Sequence, residues 1–97
     1  MAELSSSHDL HPSSGGRFVF ERIEPAAAIE YRVQVFLPDH ARFEATLAWV
    51  EGVAELREHA GNASVPAELR AWARDEALKL ARVLHRDPKP RLSRWRG

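Results

Sequence analysis

The sequence predicts an α+β fold: a four-stranded antiparallel β-meander with one C-terminal helix packed on one face. Three observations predict it. Apolar and polar residues alternate through Ile29, Tyr31, Val33, Val35 and Leu37, the period of a strand with one buried face. A second alternation, Phe43, Ala45, Leu47 and Trp49, runs up to Glu51-Gly52, a candidate two-residue turn. After Pro66 the spacing becomes helical, with Leu69, Trp72, Ala73, Ala77, Leu80, Val83 and Leu84 on one stripe.

Taken in order, residues 1–16 are dominated by Ser, His and Gly. They are too polar to bury and predict a disordered arm. A single domain follows over 17–87. Arg17 to Ile23 supplies a first strand carrying Phe18 and Phe20, and Glu24-Pro25-Ala26-Ala27 forms its turn, with Pro25 suited to the second position. The stretch from Phe43 to Glu58 has two readings. A helix from Asp39 to Ala60, stopped by Gly61, puts its glutamates on one face, but Gly52 in its interior costs about 1 kcal/mol. The hairpin reading brings Trp49 opposite Ala54 and Leu47 opposite Leu56. Running the preceding hairpin through Pro38 to Arg42 places Phe43 opposite Leu37, Ala45 opposite Val35, Leu47 opposite Val33 and Trp49 opposite Tyr31. All the apolar residues then reach one face, so register favours the hairpin. Gly61 to Ser64 is a loop. Pro66 opens a helix that runs to about Arg86 and is ended by Asp87-Pro88. Residues 88–97 are left as an irregular basic tail.

Ninety-seven residues with 44% hydrophobic content make one small globular domain. Cysteine is absent, which removes disulfides, thiolate nucleophiles and cysteine metal sites and makes a cytoplasmic location the simplest expectation. No secretory signal pattern and no apolar run of about 18 residues appears, so no membrane partner is expected. No cofactor motif is present, and none is expected to bind.

The charges are segregated although they sum to zero. Residues 1–68 carry eleven acids against five arginines, net −6, and residues 69–97 carry nine bases against three acids, net +6. Within the basic part, Arg82, Arg86, Lys89, Arg91, Arg94 and Arg96 enclose Trp95. Cations that neutralise phosphates beside an indole that stacks on a base are what a single-stranded nucleic-acid contact uses. Bases near a helix C-terminus also complement its macrodipole, and charge runs are often simply solvated. His8 and His11 stand close together in His-Asp-Leu-His, but a disordered arm supplies nothing to orient metal ligands. Glu76 falls inside the apolar stripe of the helix and needs a partner, Lys79 or a sheet arginine such as Arg17 or Arg22. On the other face of the sheet, Phe36, Val50 and Val53 are more apolar than a solvated surface requires, and suggest a self-association face.

The order of a Ser-rich arm, four strands and a helix is similar in architecture to coactivator-type single-stranded DNA-binding domains that dimerise through their helices, though it rests on no shared motif. Catalysis is not expected. Two functions follow from the residues. One is a binding domain for nucleic acid, single-stranded by preference, or another polyanion, through the basic helix end and tail. The other is a protein-interaction domain, a homodimer or the partner of an acidic protein, with no nucleic acid involved.

Overall fold

The computed structural model describes residues 14–24 and 28–97. Its elements are β1 (Gly16–Arg22), β2 (Tyr31–Phe36), β3 (Arg42–Val50), β4 (Val53–Glu58), α1 (Ala67–Arg86) and β5 (Arg91–Arg96), with short 3-10 turns at Pro38–His40 and Ala60–Ser64. All five strands form one antiparallel sheet in the order β4-β3-β2-β1-β5. The α+β class and the single helix after the first four strands stand as expected. The sheet has one strand more than expected. The segment read as an irregular tail returns along β1, pairing Phe20 with Leu92 and Arg17 with Trp95. A strand therefore follows the helix, which departs from the element order behind the architectural likeness. Of the arm expected over 1–16, residues 1–13 lie outside the described residues, Ser14 and Gly15 form a bend, and Gly16 opens β1. Pro25 to Ala27 of the expected turn also lie outside them.

Hairpin, not helix, is what Phe43 to Glu58 forms. Glu51 and Gly52 both take positive φ, 52° and 80°, as the central pair of a two-residue turn whose twist matches its strands. Leu47 pairs with Leu56 and Trp49 with Ala54, as the register argument requires. The β2–β3 hairpin is tighter than expected. Asp39 and His40 also have positive φ, and the Leu37 N–H donates to the Ala41 carbonyl at 2.9 Å. Phe36 thus meets Arg42, and Val35, not Leu37, meets Phe43. The register is displaced by two residues, which keeps every side chain on its expected face because the strand period is two. Tyr31 lies opposite Leu47 and reaches Trp49 diagonally, edge to face with ring centroids 6.1 Å apart.

The core lies between α1 and one sheet face. Phe18, Phe20, Tyr31, Val33, Val35, Phe43 and Leu47 come from the sheet, and Ala73, Ala77, Leu80, Ala81 and Leu84 from the helix. Alanines spaced by four residues bring the helix backbone close enough for the large sheet side chains to fill the layer. Trp72 adds an edge-to-face contact with Phe18 at 5.7 Å. Asn62, buried in the loop after β4, accepts from the Glu44 N–H and donates to the Glu44 carbonyl, both at 2.8 Å. Its amide continues the β3 ladder where β4 has ended.

Leu92 is the buried residue of β5 and belongs to this core. Leu92→Ala should lower stability by about 2–5 kcal/mol in urea unfolding, whereas Val53→Ala, 67% exposed, should change it by no more than about 0.5 kcal/mol. Equal small effects would show that β5 does not hold to the sheet in solution.

Candidate nucleic-acid interface

The basic residues read as one cluster are divided by the fold. Strand alternation puts Arg91 and Trp95 on the sheet face that α1 does not cover, while Leu92, Arg94 and Arg96 share the helix side. Arg82 and Arg86 stay on α1 and line a cleft beside the β3–β4 hairpin. β4 and β5 occupy opposite sheet edges, about 19 Å apart at ~4.8 Å per strand. Lys89 lies in the connection into β5, 3.7 Å from Asp87, and its carbonyl accepts the Tyr31 hydroxyl at 2.7 Å.

Several of these cations have acidic neighbours. Arg91 is 3.8 Å from Glu21 across the β1–β5 pair, and Arg96 is 3.7 Å from Glu76. Glu76 also accepts from Lys79 at 2.9 Å, so its expected rim ion pair exists, with Arg96 in place of Arg17 or Arg22 as the sheet partner. Among the described residues, Arg82, Arg86 and Arg94 have no ion pair, and Arg94 donates to the neighbouring Ser93 carbonyl at 2.9 Å.

The helix-free face is not covered by any strand or helix among the described residues. At one end of it, Trp95 of β5, Arg17 of β1, Phe36 of β2 and Arg42 of β3 stand in one cross-strand row. Trp95 is 57% exposed, with the Gly97 backbone against part of its indole. The Arg17 Nε is buried without a hydrogen-bond partner. Arg32, on the same face, adds a further cation. Arg17 and Arg32 were missed as candidates because only the pairing of β5 with β1 shows that they share Trp95's surface.

Phe36, Val50 and Val53 do not form one patch. Phe36 is only 7% exposed, in the row just described. Val50 and Val53 face each other beside the turn, 47% and 67% exposed. Val50 lies eight residue steps along β3 from Arg42, opposite Phe36, about 26 Å at ~3.3 Å per residue.

A hydroxyl, an imidazole and a carboxylate come together after β4: Thr46 Oγ1 lies 3.3 Å from His59 Nε2, and His59 Nδ1 lies 3.7 Å from Glu44. Glu44 is also engaged by Arg42 at 2.7 Å, and the imidazole is half-exposed. The arrangement ties the loop after β4 to the sheet, and the carboxylate is held by the arginine more closely than by the imidazole. His8 and His11 lie outside the described residues. Among the described residues no three His, Asp or Glu side chains are grouped to hold a metal, and no helix is long and apolar enough to cross a membrane. No protein family, curated protein or solved structure matches the chain.

Tyr31, the one tyrosine, anchors the entry to β5. Its pKa is raised from the usual 10.0, chiefly because burial opposes the phenolate, with Asp87 adding to the rise and Arg22 and the Lys89 hydrogen bond opposing it. A raised folded-state value means that the contribution of Tyr31 to stability is complete below pH 10 and is lost as pH rises toward that value. The urea midpoint should therefore fall above pH 10. Tyr31→Phe should lower stability by about 1 kcal/mol at neutral pH and flatten the alkaline fall, and an unchanged alkaline profile in the variant would refute the assignment.

Proposed function

We propose that this domain binds a polyanion, single-stranded nucleic acid by preference, on the helix-free sheet face at the β5 side. The observation that carries the proposal is the exposed indole of Trp95 on an antiparallel sheet, directly across from Arg17. A flat strand surface presents such a ring to a base, and stacking is tolerant of sequence because every base has a π-face. Arg91 supplies a cation on the same face, and Arg94 and Arg96, whose side chains turn to the helix side, reach a phosphate from the unpaired edge of β5. Charge alone does not argue for a ligand here, since arginines on an edge strand also keep it from pairing with another sheet. The indole has no such use. Of the residues first read as contacts, Arg82, Arg86 and Lys89 fall outside this surface.

The alternative, a homodimer through Phe36, Val50 and Val53, draws less support. Its residues lie at opposite ends of the sheet, and Phe36 is nearly buried within the protomer.

Deleting residues 88–97 does not test the proposal, because it removes a strand, Leu92 from the core and the acceptor of the Tyr31 hydroxyl. Point variants do. The intact protein should bind a fluorescent single-stranded oligonucleotide with log affinity falling linearly in log salt. Replacing Arg91, Arg94 and Arg96 together by alanine should flatten that slope by about 2, at ~0.7 per phosphate. Trp95→Ala should weaken binding by about 1–3 kcal/mol and leave the slope alone. No affinity at low salt, together with a dimer by sedimentation at micromolar concentration, would overturn the proposal in favour of assembly.

A further inference from the structure

We infer that the β4 edge beside the hairpin turn, with the cleft between it and α1, is a docking site for an extended acidic segment of a partner protein. The inference is independent of the nucleic-acid surface, which lies at the opposite sheet edge.

The backbone supplies the first half of the argument. The His59 N–H donates to the Glu44 carbonyl at 3.0 Å, so the ladder joins even-numbered residues of β3 to odd-numbered residues at the β4 side. The N–H and C=O groups of Ala54, Leu56 and Glu58 consequently point out of the sheet. Arg74 blocks part of this edge: its guanidinium donates to the Leu56 carbonyl at 3.3 Å and to Glu58 at 3.1 Å. Among the described residues, none covers Ala54 in this way. Between Gly52 and Glu55 the edge carries only Val53 and Ala54, without the charges that keep an edge strand from accepting another.

The side chains supply the second half. α1 does not close against this end of β4 but leaves an open cleft of about 790 Å³, walled by Trp49, Ala54 and Leu78, with Val53, whose side chain alternates to the helix-free face, at its rim. His85 stacks on Trp49 at 5.5 Å and 23°. Arg82 and Arg86 stand at the same cleft, and neither has an ion pair among the described residues. A strand added at Ala54 turns alternate side chains toward the helix side. One apolar side chain there meets Trp49 and Leu78, and a neighbouring carboxylate two residues along meets the two arginines. Backbone groups at strand spacing, an apolar wall and an uncompensated double positive charge together select an acidic peptide over a nucleic acid.

The test uses the full chain, isotopically labelled for NMR, and a synthetic acetyl-Thr-Leu-Thr-Glu-Thr-Glu-amide peptide at millimolar concentration. Amides of Gly52 to Leu56, those of Arg82 to Arg86 and the Trp49 indole should shift. The same peptide with Lys in place of both Glu should bind about tenfold more weakly or worse. Arg82→Glu with Arg86→Glu, both exposed on the helix and compatible with folding, should reverse the preference in favour of the Lys peptide. N-methylation of alternate peptide nitrogens should abolish the shifts, because it removes the strand hydrogen bonds and leaves the charge. Absence of shifts, shifts indifferent to N-methylation, or displacement of the peptide from these amides by a single-stranded oligonucleotide would each overturn the inference. Failure of oligonucleotide binding elsewhere would leave it standing.

Discussion

One helix has to close the core of a five-stranded sheet, and most features of the molecule descend from that constraint. Twenty residues of helix are about 30 Å long, and five strands are about 19 Å across at ~4.8 Å spacing. Coverage of one face is achieved by close approach. Ala73, Ala77 and Ala81 are fully buried, and the volume between the layers is filled from the sheet by Phe18, Phe20, Tyr31 and Phe43. With no second helix among the described residues, the other face keeps Trp95 and Val53 in water. The cleft beside the hairpin turn opens even though the closest approaches of α1 to the sheet are to β4 and β3.

The parts of this fold that were legible in the sequence are those in which local chemistry and hydrophobic period agree. Glu51-Gly52 sits where both flanking patterns need a turn, and the pairs Leu47–Leu56 and Trp49–Ala54 follow. The neighbouring hairpin is the opposite case. Nothing in Pro38 to Ala41 announces that Asp39 and His40, neither of them glycine, will both take positive φ, so the faces were readable and the register was not. β5 was invisible for a different reason. Of Arg91 to Arg96 only Leu92 is buried, so the strand carries no apolar period, and its ladder with β1 is made across some seventy residues of chain. The candidate site suffered in turn. Residues adjacent in sequence were read as one basic cluster, while strand alternation sends Arg91 and Trp95 to one side and Arg94 and Arg96 to the other.

The opposed charges of the two halves of the chain are partly compensated inside the fold. Arg91 of β5 reaches Glu21 of β1, and Arg74 of α1 reaches Glu58 of β4. Each pair joins an element of the basic segment to a strand of the acidic one, and each is exposed enough to add little stability by itself. Their effect is on what remains. Among the described residues, the cations left without an acid include Arg82 and Arg86 at the β4 side and Arg94 at the β5 edge. Balanced charge within the chain therefore does not require that the acidic and basic regions meet between subunits.

The two edges of the sheet solve the same problem by different means, and the two proposed roles rest on that difference. An unpaired edge must be kept from adding strands indiscriminately. At β5 the protection comes from the strand's own arginines, which at the same time make that edge attractive to anions. At β4 it comes from Arg74, reaching over from the helix to the Leu56 carbonyl. That guard covers the middle of the strand, and the two residues nearest the turn lie beyond it, next to the cleft. Protection by a single side chain of fixed reach thus leaves a short stretch of edge open, and the length of that stretch, not its chemistry alone, limits what can pair there to a few residues of extended chain.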